Sequence, residues 1–217
     1  GHAAITEHLV QYCQTVNVVE IDNDLVPLLQ SKFKNQANLT ILHQDVLTLE
    51  LPAGNNRIIG NLPYNISTPL LIRFLYQADK ISDMLFMLQK EVVKRICAPV
   101  GVKAYGRLSV MLQYAFECEE LFIVSPLAFN PQPKVDSQII HLVKKQNPPQ
   151  VNLPKLEALV KQAFAQRRKT IKNNLKGICT EQQLLQLNIN PQARPETLSV
   201  TDYVKISNYL NPNINLS

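Results

Sequence analysis

Short apolar runs that end in polar residues alternate with amphipathic stretches along the first two thirds of the chain. The first ten residues have helical spacing, while Val16–Asp22, Leu39–Leu42 and Ile58–Ile59 have the β-branched composition and polar ends typical of strands. Asp83–Leu88 is apolar almost throughout, which indicates a central strand. Strands that alternate with helical stretches predict an α/β fold with an open, mostly parallel sheet.

The last strands of this series are closely spaced. Leu121–Val124 and Ser137–Val143 flank a proline-rich loop, residues 128–136, and this spacing predicts an antiparallel pair at one edge of the sheet. Helices are expected before this pair, at Glu91–Ile96 and Leu108–Phe116.

The rest of the chain has helical patterning only. A linker composition at Lys145–Gln150 is followed by apolar residues at helical spacing over 154–176, which predict a helix with a possible break. Two capping boxes predict the starts of further helices. They are Thr180 with Gln183 and Ser199 with Asp202. We therefore predict a first domain, residues 1–148, and a small all-helical domain, residues 149–217.

The composition is that of a soluble globular protein, since 46% of the 217 residues are apolar and 18% are charged. No apolar run approaches the roughly 18 residues of a membrane span, and the start lacks the features of an export signal. The four cysteines form no C-x-x-C pair, which favours reduced thiols and argues against a structural zinc site. A cytoplasmic protein with no membrane or metal partner is expected.

The formal net charge of +5 is carried by the last third of the chain. Residues 1–150 hold 13 Lys and Arg against 13 Asp and Glu, whereas residues 151–217 hold 9 against 4. Because Lys and Arg contact phosphates, this asymmetry suggests a neutral catalytic part joined to a basic part that faces nucleic acid. A solvated basic helix without a partner is the alternative that charge alone leaves open.

The basic residues of this last third have helical spacing. Arg168, Lys172 and Lys176 are four residues apart, and Lys169 lies three before Lys172. On a continuous helix they would form a stripe opposite its apolar face. We interpret this stripe as a candidate surface for nucleic acid.

Residues 57–69 carry the most specific chemistry. The strand is expected to stop at Gly60, and Thr68 with Pro69 has the composition of an N-cap and a first helical turn. A loop at the carboxyl end of a strand is where open α/β sheets bind ligands, so Asn61 and Tyr64 are candidate site residues. An ordinary Asn-Pro turn is the alternative.

Asn61-Leu62-Pro63-Tyr64 resembles the signature of methyltransferases that use S-adenosylmethionine to methylate the exocyclic amine of adenine. The lone pair of that amine is delocalised into the ring, which makes it a poor nucleophile. The Asn61 amide oxygen and the carbonyl of Leu62 or Pro63 can accept both amine hydrogens and favour a pyramidal nitrogen. Tyr64 would offer a face on which the unstacked base lies.

Acidic residues end two of the predicted strands. Glu20 follows Gly1 by nineteen residues, which is close to the spacing between glycine turn and ribose-binding acid in nucleotide-binding units. We therefore predict Gly1 and Glu20 as cofactor-binding residues, with a simple cap as the alternative for Glu20. Asp45 recurs at the end of the next strand, where a turn-forming role is the alternative.

Four segments together resemble the bacterial small-subunit (16S) ribosomal RNA adenine dimethyltransferases over nearly the whole chain. They are Asn61–Pro69, Tyr105–Ser109, Phe129–Ser137 and Phe164–Leu175. The resemblance implies a Rossmann-like methyltransferase sheet and a helical domain that grips RNA. It also implies dimethylation of two adjacent adenosines near the 3′ end of that RNA, with S-adenosylmethionine as donor and no metal. A monomer that acts on a pre-30S-like particle is expected.

The resemblance also assigns residues to sites. Asp45 matches the acid that bonds the cofactor's adenine amine, Asn61 lies beside the cofactor, and Phe129 matches an aromatic that faces Tyr64 across the target base. An anchor for the loop is the alternative for Phe129, and the segment around Arg107 either touches RNA or only connects elements. The predicted RNA contacts are Arg107, Lys134, Arg167, Arg168, Lys169 and Lys172.

Two departures from the family pattern are visible. The family has a strand and a fuller glycine motif at the start of the chain, of which only Gly1 is present. The stretch between Asp45 and Asn61 is also shorter than in the family. The rival hypotheses are a non-catalytic RNA-binding assembly factor and an adenine methyltransferase that acts on another RNA or on DNA.

Overall fold

The computed structural model describes residues 3–212, which fall into two compact units with a boundary between Leu51 and Pro52. The helices are α1 (Ala4–Tyr12), α2 (Leu25–Lys32), α3 (Ser67–Leu75), α4 (Lys90–Ile96), α5 (Arg107–Ala115), α6 (Leu153–Ala163), α7 (Ile171–Asn174), α8 (Glu181–Gln186) and α9 (Val200–Leu210). The strands are β1 (Val16–Glu20), β2 (Leu39–His43), β3 (Asn56–Asn61), β4 (Ile81–Gln89), β5 (Phe116–Val124) and β6 (Ser137–Lys144).

The first unit is a βαβ motif preceded by a helix. β1 and β2 pair in parallel along their whole lengths, and α2 connects them. Their apolar faces form a small core with α1: Val10, Val16, Leu29 and Phe33. The side-chain amide of Asn38 donates to the carbonyls of Val10 and Cys13, at 2.9 and 2.8 Å, and so fixes the end of α1.

The second unit contains a four-stranded sheet with the order β3-β4-β6-β5. β3 is parallel to β4, whereas β6 is antiparallel to both β4 and β5. The central position of β4 and the antiparallel edge are therefore confirmed. β5 begins at Phe116, earlier than the predicted start at Leu121. The prediction missed these residues because Glu117 and Glu119, which lie on the exposed face of the strand, make the segment polar.

Helices cover one face of this sheet. The buried side chains of β4 are Ile81, Met84, Phe86 and Leu88, all at most 1% exposed. The ring of Phe74 in α3 stacks on Phe86 with centroids 6.1 Å apart. α5 contacts α3, α4 and β5 on one side and α6 and α9 on the other. The sheet and the C-terminal helices are therefore both packed against α5.

The C-terminal segment is helical, as predicted, and it is bonded closely to the rest of its unit. The carboxylate of Glu157 in α6 accepts hydrogen bonds from Arg107 in α5 and, at 2.6 Å, from the hydroxyl of Tyr76. Phe164 packs between the rings of Tyr105 and Tyr203. The compact units divide the chain at residue 51, so the domain boundary at residue 148 stays a prediction.

Two predicted capping boxes are confirmed, and one predicted N-cap is wrong. Thr180 with Gln183 and Ser199 with Asp202 form both hydrogen bonds of the motif. α3 begins at Ser67, one residue before Thr68, and no side chain caps it. The backbone N–H groups at this end of the helix are instead bonded locally, as described with the site below. No helix within residues 3–212 is long and apolar enough to cross a membrane.

Three strands of the second unit are joined by a charged cluster. The guanidinium of Arg57 in β3 donates two hydrogen bonds of 2.8 Å to the carboxylate of Asp83 in β4. The His141 ring in β6 lies 2.9 Å from the same carboxylate. Arg57, and after it His141, lowers the pKa of Asp83 to about 2, although partial burial opposes this shift.

The Asp83→Asn substitution tests this cluster. Because the folded pKa lies below the ordinary value of about 3.9, the carboxylate stabilises the fold above about pH 4 and loses this effect as the pH falls toward 2. At pH 7 the substitution should lower the free energy of unfolding by about 1 kcal/mol, toward the low end for a charged hydrogen bond. Arg57 is mostly exposed, so solvent screens the interaction.

The measurement is denaturant unfolding of both proteins between pH 7 and pH 2. The difference between wild type and variant should shrink below about pH 4, where the wild-type carboxylate begins to bind a proton. Asp79→Asn removes an exposed carboxylate and is the matched control. If the difference in free energy of unfolding stayed constant over this pH range, ionisation of Asp83 would not be its cause.

Candidate functional site

The register of β3, β4 and β6 brings two loops to the same end of the sheet. Asn61 lies opposite Met87 near the end of β4, and the Leu62 N–H donates to the Met87 carbonyl at 3.3 Å. Gln89, the last residue of β4, lies opposite Ser137, the first residue of β6. The loop after β3 and the loop before β6 therefore meet at the carboxyl end of β4.

The loop after β3 is fixed by its own backbone. The carbonyl of Pro63 accepts from the N–H groups of Ile66 and Ser67, at 3.2 and 3.1 Å, and the Ser67 hydroxyl donates to the Tyr64 carbonyl. Leu62 is 9% exposed and packs against Gly60, where an added Cβ would lie 3.2 Å from Leu62 Cδ2. This close approach could not be predicted from the sequence.

Acceptors at the same loop are left without donors. The Asn61 side chain is exposed and makes no hydrogen bond with residues 3–212, and within that range the Leu62 carbonyl receives none. The Pro63 carbonyl, in contrast, has two backbone donors. Of the two carbonyls that the sequence left open as the second acceptor, that of Leu62 is therefore the one without a donor among the described residues.

Tyr64 connects the two loops. Its hydroxyl lies 3.1 Å from the hydroxyl of Ser137, which is 1% exposed, and the Tyr64 side chain is 40% exposed. One end of the ring is thus fixed while part of it faces solvent. Ser137 was not singled out in the sequence, because its partner is 73 residues away.

The loop before β6 carries two of the predicted residues. Phe129 is half-buried and follows a short 3₁₀ turn, Pro126–Ala128, in which the Leu127 N–H donates to the Ser125 hydroxyl. Lys134 is exposed near the end of the same loop. The structure thus brings this loop to Tyr64 through Ser137, while a stacking role for Phe129 stays a prediction.

The two predicted cofactor acids lie at one edge of the first unit. β1 ends at Glu20, directly opposite His43 at the end of β2, and Asp45 follows two residues later. Glu20 Oε1 accepts from the N–H groups of Ile21 and Asp22, at 2.9 and 3.1 Å.

Asp45 Oδ1 likewise accepts from the Leu47 N–H, at 2.8 Å, and caps a short 3₁₀ turn. Both carboxylates are therefore held in place by backbone donors. Gly1, the third predicted cofactor residue in this part of the chain, lies outside the described residues.

The predicted basic stripe is not a helical one. The chain leaves the helix after Ala163 and forms turns until α7 begins at Ile171. The amide of Asn174, which is 4% exposed, donates to the carbonyls of Gln166 and Lys169 and fixes these turns. Spacing by fours was therefore the wrong criterion, since Arg168 and Lys169 do not share a helix with Lys172.

Three of the predicted RNA-binding residues have partners inside the protein. These pairs are Arg107 with the Glu157 carboxylate, Arg167 with the carbonyls of Lys103 and Tyr105, and Lys172 with the Glu181 carboxylate. Arg168, Lys169 and Lys134 are exposed and have no side-chain partner among the described residues. Arg168, Lys169 and Lys134 therefore remain available to an outside ligand.

Groups that serve other chemistries were also sought in the described part of the chain. No cluster of three or more His, Cys, Asp or Glu suited to a metal ion occurs in residues 3–212. All four cysteines are free thiols. Burial raises the pKa of Cys97 and Cys118 to about 12, so neither thiol ionises readily at neutral pH.

The fold is that of Rossmann-like methyltransferases. A crystal structure of a dimethyladenosine transferase from Plasmodium falciparum matches with a TM-score of 0.85 at 23% identity, over 98% of this chain and 87% of that one. The 23S ribosomal RNA methyltransferase ErmE matches with a TM-score of 0.75 at 24% identity, over 97% and 88%. At these identities the likeness establishes the fold.

Sequence comparison then defines the family. The chain belongs to the ribosomal RNA adenine dimethylases, whose family model matches residues 1–212. A Coxiella burnetii protein named ribosomal RNA small subunit methyltransferase A is 50% identical over 217 residues, which are 97% of this chain and 84% of that protein. A Legionella pneumophila protein of the same name is 49% identical over 215 residues, with the same coverage. The family and the enzyme class predicted from the motifs are confirmed.

The Gly60→Ala substitution tests whether the position of Leu62 matters. The added Cβ would lie 3.2 Å from Leu62 Cδ2 and 3.7 Å from the Phe86 ring, so the Leu62 side chain must give way by a few tenths of an ångström. Overpacking should cost about 1 kcal/mol of stability, at the low end of its usual range because the Leu62 side chain is flexible. Methyl transfer should fall by roughly tenfold, since a misplacement of about 1 Å costs about 10²-fold.

Thermal unfolding and single-turnover methyl transfer are the two measurements. The matched control is Gly106→Ala, because Gly106 has extended backbone and no atom lies within 4 Å of an added Cβ. If Gly60→Ala kept full activity, the contact between Gly60 and Leu62 would have no role in positioning the site.

Proposed function

We propose that the protein transfers methyl groups from S-adenosylmethionine to the exocyclic amines of two adjacent adenosines near the 3′ end of small-subunit ribosomal RNA. The observation that carries this proposal is the pair of unbonded acceptors at Asn61 and Leu62, next to a tyrosine whose ring is fixed at one end. The names of the relatives support the small subunit as the source of the RNA.

The two acceptors divide the hydrogens of the target amine. The Asn61 amide oxygen takes one and the Leu62 carbonyl takes the other, because the Pro63 carbonyl already has two donors. Accepting both hydrogens favours a pyramidal nitrogen whose lone pair is available for attack. The second acceptor belongs to the backbone, so only Asn61 can be tested by removing a side chain.

The target base has to leave its stack to reach these acceptors. Tyr64 supports it from one side, since stacking on an aromatic ring is worth about 1 to 3 kcal/mol. The hydrogen bond to Ser137 limits the rotation of the ring. Phe129 is proposed for the opposite side, because its loop joins β6 at Ser137.

The methyl donor would be bound at the carboxyl ends of β1 and β2. Bound S-adenosylmethionine supplies a methyl group on a positively charged sulfur, and no metal is needed for its transfer. Glu20 suits the ribose hydroxyls and Asp45 the adenine amine, because a carboxylate accepts hydrogen bonds from both kinds of donor. Asn61 and the backbone of Gly1 are proposed as further donor-binding groups.

RNA would be held by the exposed cations of the second unit. Arg168 and Lys169 lie on turns fixed by Asn174, so they are presented to solvent on a constrained segment. Lys134 lies three residues before Ser137, which is hydrogen-bonded to Tyr64. The partner is a small-subunit particle during its assembly, and we propose that the protein acts on it as a monomer in the cytoplasm.

The Asn61→Ala substitution tests the catalytic proposal. It should abolish methyl transfer to small ribosomal subunits, because the amine would keep only one acceptor. Affinity for S-adenosylmethionine, measured by calorimetry, should stay within several-fold of wild type. Asn65→Ala, in the same exposed loop, is the matched control and should transfer methyl groups normally.

Outcomes other than loss of transfer have separate meanings. Near-normal turnover of Asn61→Ala would refute the role of the amide. If wild type methylated another RNA or duplex DNA but not small subunits, the proposed substrate would be wrong. Normal subunit binding by wild type with no turnover on any substrate would favour a non-catalytic assembly factor.

The Arg168→Gln/Lys169→Gln variant tests the proposed RNA contacts. Each lost phosphate contact flattens the dependence of log affinity on log salt by about 0.7 to 0.9, so two should remove about 1.4 to 1.8. Binding to small subunits, titrated at several salt concentrations, is the measurement. Arg167 and Lys172 are left unchanged because they have partners inside the protein.

A control with the same change in charge is available on α6. Lys155→Gln/Lys161→Gln removes two exposed cations from the helix that precedes the turns, and its slope should stay close to wild type. If both variants changed the slope equally, the effect would be one of net charge and not of position. Circular dichroism should show that both variants keep their fold.

A further inference from the structure

An open cleft of about 520 Å³ adjoins the Tyr64 loop on the side of β4 and β6. This volume lies within the roughly 300 to 1,000 Å³ usual for ligand sites. The cleft is formed where β4 passes into α4 and where the loop before β6 ends. Its lining residues are Gln89, Lys90, Glu91, Lys94, Pro126, Lys134, Val135 and Asp136.

Hydrogen bonds connect this cleft to the proposed target site. Asp136 accepts from Lys90 twice, through its carbonyl and its carboxylate, each at 3.0 Å. The next residue, Ser137, is bonded to the Tyr64 hydroxyl. Lys134 is three residues from Ser137, so the chain between them spans at most about 10 Å. One short segment of RNA can therefore touch both places.

The charges in the cleft leave a positive excess. Both of its carboxylates are engaged, Asp136 by Lys90 and Glu91 by Arg95. Lys94 and Lys134 are exposed and have no side-chain partner within residues 3–212. Ammonium groups held by no carboxylate are suited to a phosphate.

The cleft also has an apolar part. Pro126 lies in its wall, and Val135 is 44% exposed beside Lys134. A nucleotide has an apolar base face and an anionic phosphodiester, and this combination matches apolar wall and free lysines. A phosphate ion alone would use only the lysines.

We propose that this cleft holds the nucleotide next to the adenosine being methylated, with Lys94 and Lys134 on its phosphodiester. The inference rests on the proposed function, since it needs an adenine at Asn61 and Tyr64. Lys94 and the apolar wall are added here to the RNA contacts. The two lysines are positioning residues, because they touch the flanking phosphate and not the reacting amine.

The first test uses Lys94→Gln/Lys134→Gln. Affinity for small subunits should fall several-fold, and the salt slope should flatten by about 1.4 to 1.8 for two lost contacts. KM for RNA should rise more than kcat falls, and affinity for S-adenosylmethionine should be unchanged. Lys80→Gln/Lys144→Gln is the control with the same change in charge, because Lys80 directly precedes β4 and Lys144 ends β6, at the ends of these strands away from the cleft.

The second test locates the contact. A synthetic RNA hairpin with two adjacent adenosines is made with a neutral methylphosphonate at one phosphate on either side of the target, and binding is measured by fluorescence anisotropy. At one of these positions the neutral linkage should weaken RNA binding by wild type but leave RNA binding by Lys94→Gln/Lys134→Gln unchanged. Equal losses for both proteins at both positions would overturn the proposal.

The outcomes separate this inference from the proposed function. If Asn61→Ala is inactive while Lys94→Gln/Lys134→Gln keeps the wild-type KM and salt slope, the cleft does not hold RNA and the function stands. If wild type methylates no adenosine in small subunits, the function is wrong. In that case the methylphosphonate comparison tests by binding alone whether the cleft holds a nucleotide. If wild type does not bind the hairpin, the proposal for the cleft is contradicted.

Discussion

The pairing of β4 with a parallel strand on one side and an antiparallel strand on the other is the constraint on which the proposed target site depends. β3 ends and β6 begins at the same edge, so a motif at Asn61 and a serine at position 137 become neighbours. Hydrogen bonds to Tyr64 and to Asp136 then fix the two loops. With either strand reversed, these loops would lie at opposite ends of the sheet.

Much of this arrangement could be predicted from sequence where the signal was local. Apolar runs located the strands and the central place of β4, and side-chain chemistry located the capping boxes at Thr180 and Ser199. The motif at Asn61 was recognisable because its residue types serve one reaction. Such features depend on neighbours in the chain, which a sequence displays directly.

The features that the sequence concealed depend on distant partners. The turns around Arg168 are stabilised by Asn174, and the basic spacing that suggested a helix has no influence on them. Likewise, charge counting could not show that Arg107 and Arg167 are engaged inside the protein. A cation is available for RNA only when the fold leaves it unpaired, and this condition is a property of tertiary structure.

The unbonded acceptors at Asn61 and Leu62 illustrate how such a site remains compatible with a stable fold. A buried polar group without a partner costs about 1 to 3 kcal/mol, but the Asn61 side chain is exposed and water can satisfy it. The desolvation cost is instead incurred when the substrate binds and water leaves the Asn61 side chain. A substrate that supplies two donors in the right positions recovers it, whereas a base without an amine does not. In the proposed reaction, the two unpaired acceptors therefore favour a base that carries an exocyclic amine over one that does not.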